Sequence, residues 1–88
     1  MRSLTTSDFW AGYRALPAAV RSQARKAYRL WLENPHHPSL RFEKKGHYWS
    51  ARISPGYRAL GRIQDGVMYW FWIGDHDEYE RLLKGFQR

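Results

Sequence analysis

The sequence has 88 residues, of which 17% are aromatic and none is cysteine, and a chain of this length hides only about 60 to 65% of its unfolded surface, leaving no room for a second core. The lack of Cys excludes disulfides, thiolate metal ligands and a cysteine nucleophile, as is usual in a reducing compartment. Fifteen Lys and Arg against eight Asp and Glu give a formal charge of +7 and a pI near 10.1, which favours polyanions through steering and counterion release and makes nucleic acid the first partner to test.

After a short extended start, TTSDFWAGYRAL offers Thr6 or Ser7 as an N-cap, Asp8 in the first turn, and Phe9, Trp10, Tyr13 and Leu16 at helical spacing. Pro17 suits the first position of a second helix, PAAVRSQARKAYRLWLEN. There Val20, Ala24, Ala27, Leu30 and Trp31 face inward, Arg21, Arg25, Lys26 and Arg29 face outward, and Asn34 and Pro35 end the helix. From Ser39 the period changes to two. SLRFEKK alternates Leu40 and Phe42 with Arg41 and Glu43, a half-buried strand that ends at the Gly46 turn. HYWSARIS sends Trp49, Ala51 and Ile53 to one face and Tyr48, Ser50 and Arg52 to the other, and SPG reverses the chain. YRALGRI carries Arg58, Leu60 and Arg62 on one side, and QDG is a hairpin turn into VMYWFWIG, apolar on both faces and so central. The helix DHDEYERLLKGF closes the chain, with Leu82, Leu83 and Phe86 as its apolar contacts.

The expected fold is a single α+β domain over residues 1–88, an N-terminal helical hairpin on one face of a four-stranded antiparallel sheet, followed by a C-terminal helix. MRSLTTSDFW lacks an apolar core for a signal peptide and VMYWFWI is too short to cross a bilayer, so a cytoplasmic protein with no membrane partner is expected.

Alternation gathers Ser50, Arg52, Arg58 and Arg62 on the face away from the hairpin, and a helix starting at Asp75 brings His76 and Tyr79 to one side of its first turn. Phosphodiester chemistry suits such a set, because Arg offers a planar fork for two phosphate oxygens. Histidine is the side-chain type that exchanges protons near neutral pH, with tyrosine as a second donor or acceptor. A plainer reading stands beside it: Asp75 and Asp77 cap a helix, the arginines form a solvated strand face, and Tyr79 packs by its ring. His36 and His37 in NPHHPSL have no acidic or Cys ligand nearby in sequence and read as loop. No metal or other cofactor is expected. Phosphate-cradling Gly-rich loops, zinc-binding helix motifs and nucleophile elbows are absent from the sequence.

Taken together and in this order, LPAAVRSQARKAYRLWLENPHHPSLRFEKK, YWSARI, GYRALGRIQDG and WFWIGDHDEYERLL resemble the RelE/ParE superfamily of toxins from bacterial type II toxin–antitoxin pairs, over nearly the whole chain. Members with ribonuclease activity cut mRNA, in the ribosomal A site or free, by attack of the 2'-hydroxyl on the scissile phosphate without a metal. The resemblance implies that Arg58 in GYRAL binds phosphate, that Arg52 in SARI is a basic position on the preceding strand, and that His76 and Tyr79 in DHDEY are the acid and base. Arg41, Lys44, Lys45 and Arg62 are then expected to hold the RNA backbone. Ser50 stands where some relatives carry a second basic group, and RSLTT has room for only a very short first strand. The partners implied are a cognate antitoxin, mRNA and the ribosome, with operator DNA bound only through the antitoxin complex. The same fold also serves toxins that bind DNA gyrase and need no ribonuclease residues. A non-toxic basic binding module is the third alternative.

Overall fold

The computed structural model describes residues 2–86 except the side chain of Phe86, so the contact expected of Phe86 lies outside the described residues. The elements are β1 (Arg2–Thr5), α1 (Ser7–Arg14), α2 (Ala18–Glu33), a 3-10 turn (Pro38–Leu40), β2 (Glu43–Lys45), β3 (Tyr48–Ser54), β4 (Tyr57–Gln64), β5 (Val67–Asp75) and α3 (His76–Phe86). The sheet is mixed and five-stranded, in the order β1-β5-β4-β3-β2. Strands β2 to β5 form the expected antiparallel meander. β1 pairs parallel with β5, Leu4 lying opposite Tyr69, which corrects the four-stranded antiparallel expectation. Without β1, the strongly apolar β5 would present an open edge, the kind of edge that recruits another strand. The crossover between β1 and the meander carries both N-terminal helices.

Local chemistry sets the helix starts and turns. Thr6 Oγ1 accepts from the Phe9 N–H at 3.2 Å and caps α1. Asp65 and Gly66 both take positive φ, 52° and 77°, as a tight two-residue hairpin requires. The strand expected from Ser39 begins only at Glu43. His37 Nδ1 instead accepts from the Ser39 N–H at 3.2 Å, Pro38 starts a 3-10 turn, and Arg41 ends it in the left-handed region at φ 42°. Leu40 still enters the core and Phe42 stacks on Trp49 at 4.7 Å, so their apolar spacing serves a turn rather than a strand.

The main core lies between the helical hairpin and the sheet, built on Val20, Ala24 and Trp31 of α2 with Ala51, Ala59, Met68, Trp70 and Ile73 of the strands. Trp31 meets Trp70 edge to face at 5.4 Å. α1 approaches β5 so closely at Gly12 that a Cβ there would stand 2.7 Å from the Ile73 carbonyl oxygen. On β5 the register slips between Leu60 and Gly61, which pair with Trp72 and Trp70 and leave Phe71 extra. This β-bulge sends Phe71 and Trp72 both toward α3, while Met68, Trp70 and Ile73 keep to the hairpin side.

The face expected to be open is therefore half covered. α3 sets Tyr79, Leu82 and Leu83 on Leu60, Phe71 and Trp72 in a second, smaller core, because a central strand apolar on both faces must be sheltered on both. No helix among the described residues is long and apolar enough to cross a membrane.

Candidate functional site

The site is at the turn end of β3 and β4, where the α3 packing stops. Arg52 and Arg58 are directly opposite each other across the two strands, and like charges so placed repel unless an anion joins them. Arg58 Nη1 donates to the carbonyls of Ser54 at 2.7 Å, Tyr57 at 2.9 Å and Pro55 at 3.3 Å. The guanidinium thus clasps its own turn by one nitrogen, while its Nε and Nη2 have no hydrogen bond among the described residues. Burial first, then the charges of Arg52 and Arg41, push the Arg58 guanidinium below the usual arginine range, and Tyr79 and Glu80 pull the other way. It stays a cation, since arginine does not lose its proton in proteins. Three guanidinium groups thus lie within electrostatic reach of one another.

α3 is tied to this turn at its first residue. The His76 N–H donates to the Gly56 carbonyl at 2.9 Å, and Asp75 Oδ1 accepts from the Glu78 N–H at 2.8 Å as the helix cap. Asp75 thereby does what the plainer sequence reading gave it. The His76 ring is half exposed, its Nε2 3.4 Å from Glu80 Oε1. Gly74, opposite Arg58, makes room for the Trp72 indole, whose ring would be 2.5 Å from a Cβ there.

Of the residues singled out in the sequence, the fold brings Arg41, Arg52, Arg58 and His76 to one end of the sheet. Tyr79 is close, its ring centroid 5.7 Å from that of His76, but it is only 4% exposed and its hydroxyl donates to Ser50 Oγ at 2.9 Å. The Tyr79–Ser50 contact satisfies two buried hydroxyl groups and pins α3 to β3. Lys45 pairs with Glu43 at 3.1 Å. Lys44, opposite Trp49, is on the hairpin side of the sheet, and Arg62 is four residues along β4 from Arg58, about 13 Å at strand rise. Neither joins the cluster. The sequence reading passed over Glu80; its position four residues after His76 on one helix was the available signal.

The arrangement can hold an anion between guanidinium forks beside an imidazole that has a carboxylate behind it. Residues 18–81 match the family model of the ParE-like toxin domain. The chain is similar to the YoeB/ParE toxin from Agrobacterium tumefaciens, with a TM-score of 0.67 and 21% identity over 86% of this chain and 99% of that one. It is similar to YafQ from E. coli strain BL21(DE3), with a TM-score of 0.68 and 13% identity over 90% and 98%. The intact E. coli RelBE toxin–antitoxin complex gives a TM-score of 0.61 and 21% identity over 83% and 93%. At these identities the likeness is one of fold. No curated protein matches the sequence. The family model runs from α2 through the Arg52 and Arg58 strands into α3, most of the chain, and the chain belongs to the ParE-like toxin domain family of the RelE/ParE superfamily.

Proposed function

We propose that this protein is the toxin of a type II toxin–antitoxin pair and acts as a metal-independent endoribonuclease on mRNA. The supporting observation is the directly opposed pair Arg52 and Arg58, with Arg41 in electrostatic reach and His76 tied to the same turn. In this reading the free edge of Arg58 and the Arg52 guanidinium bind the scissile phosphate and the charge that builds on it during in-line attack. The 2'-hydroxyl gives up its proton as it bonds to phosphorus, the bond to the 5'-oxygen breaks, and that oxygen takes a proton. The products are a 2',3'-cyclic phosphate and a free 5'-hydroxyl. His76, steadied by Glu80, is the residue we assign to proton transfer. Tyr79, which the sequence reading paired with it, is assigned the anchoring of α3. Expression of the wild type with primer-extension mapping of transcripts should give growth arrest and defined cuts. Arg58→Ala and His76→Ala should each abolish the cuts without unfolding the protein, and persistence of cleavage in both would refute the reading.

A gyrase-binding toxin is the second reading. It is favoured by the burial of Tyr79, which leaves one exposed proton-transfer residue instead of two. It predicts a DNA-damage response and toxicity that survives His76→Ala. Either toxin needs a neutralising partner. The similarity to a RelBE complex supports a cognate antitoxin carrying an acidic segment that covers the arginine cluster.

A further inference from the structure

Beside the arginine cluster, between α2, the 3-10 turn and the end of β3, is a hollow of about 420 Å³. On α2, Gln23, Lys26, Ala27 and Leu30 reach it at helical spacing, and Ser39, Arg52 and Ile53 line the other side. Its apolar wall and its polar groups are both one-sided in character: aliphatic side chains, two cations, neutral hydrogen-bonding groups and no carboxylate. Among the described residues neither Lys26 nor Arg52 has an ion-pair or hydrogen-bond partner. The hollow is also continuous with the candidate site. Arg52 borders both, and Ser54 and Pro55, whose carbonyls hold Arg58, line its far rim.

An unpaired half-buried guanidinium beside an exposed ammonium calls for an anion, and a flat aliphatic wall next to them calls for an apolar plane. A nucleotide combines the two. We infer that the hollow is a nucleotide subsite, which takes the base and phosphate of the residue next to the one whose phosphate Arg58 holds. Lys26 binds its phosphate, Arg52 stands at the border between this phosphate and the scissile one, the aliphatic wall of Leu30 and Ile53 covers the base, and Gln23 and Ser39 hydrogen-bond the base edge. The inference rests on the ribonuclease reading for the strand's direction of travel, while occupancy of the hollow is measurable without cleavage.

An amide NMR titration with AMP, CMP, GMP and UMP singly, against inorganic phosphate, tests it. The expected result is that at least one mononucleotide shifts the amides of Gln23, Ser39 and Ile53 at concentrations about tenfold below those phosphate needs. Lys26→Ala, on the exposed side of α2, should weaken this about tenfold. Shifts confined to Tyr57, Arg58 and His76 would overturn the subsite and leave the ribonuclease reading standing. Shifts in the hollow that persist in Arg58→Ala, with no RNA cleavage by the wild type, would keep the subsite and remove the ribonuclease reading. Phosphate acting as well as the nucleotides would make the hollow a plain anion site and overturn the assignment. A response to a glutamate-rich peptide but to no mononucleotide would overturn it in favour of a protein partner, and no shift anywhere would overturn it outright.

Discussion

The sheet face under α1 and α2 uses its side chains for packing, whereas the face under α3 does so over only part of its length. Under the hairpin, Trp31, Leu40, Met68 and Trp70 are all at most 4% exposed. Two rim arginines there are engaged as well, Arg21 on the Leu16 carbonyl at 2.6 Å and Arg25 on the Tyr13 hydroxyl at 2.7 Å. Under α3 the core consists of Leu60, Tyr79 and Leu83 with a few half-buried neighbours, and it ends before the β3–β4 turn. Beyond that end Arg52 has no partner among the described residues and Arg58 is half used. The contrast separates residues whose loss should unfold the protein from residues whose loss should silence it.

Trp31→Ala should show the first kind most strongly. Removing a buried indole that packs on Trp70 and Phe42 costs about 3 to 5 kcal/mol, a large part of the stability of so small a domain. Urea denaturation should register it as a lower midpoint with little change in slope. Arg58→Ala is the opposing case. It should lower RNA cleavage about 100-fold or more while shifting the urea midpoint far less than Trp31→Ala, since only the clasp on the turn carbonyls is lost. If the two substitutions moved stability equally, the division between the faces would be wrong.

Tyr79→Phe sits on the boundary. With its hydroxyl removed, Ser50 Oγ stays buried without its donor, at a cost of about 1 to 3 kcal/mol. If the hydroxyl anchors α3, thermal melts should record that loss while the cleavage rate at saturating RNA changes only a few-fold. A collapse of rate with stability intact would return Tyr79 to proton transfer.

How far the sequence disclosed these features depends on how local their causes are. The helix starts to within one residue, the Asp65–Gly66 hairpin and the shared face of Ser50, Arg52 and Arg58 follow from spacing of a few residues, and all three are found in the fold. The parallel pairing of β1 with β5 joins residues more than sixty positions apart, and no period within either strand encodes it. The bulge at Phe71 breaks the alternation from which faces were assigned, so β5 read as apolar on both sides without revealing that α3 supplies the second cover. Tyr79 was visible as a phenol near a histidine. Its burial depends on that cover, and so it was legible only as one of two alternatives. Arg41, expected within a strand, ends the Pro38 turn in the left-handed region instead, and the edge strand keeps only Glu43–Lys45.

The paired and unpaired cations on the α3 face allow the finest test. The Lys45 and Glu43 side chains are 40% and 57% exposed, and a pair this solvated contributes less than about 1 kcal/mol. The hydrogen bond to Glu43, then its charge, holds the Lys45 ammonium above the usual lysine range. A folded-state value above the unfolded one means that the stabilisation is complete below the unfolded value and disappears as pH rises through the folded one. Melting temperature measured on the alkaline side should therefore fall slightly through the lysine range, and Glu43→Gln should flatten that limb without altering the profile near neutrality. A phosphate at Lys45 would have to share the ammonium with the Glu43 carboxylate. Lys45→Ala should thus lower RNA affinity less than Arg52→Ala, which removes a cation with no partner among the described residues and also relieves its repulsion of Arg58. An Arg52→Ala protein that binds RNA weakly yet melts no lower than the wild type would locate the function at the end of the sheet that packing leaves open.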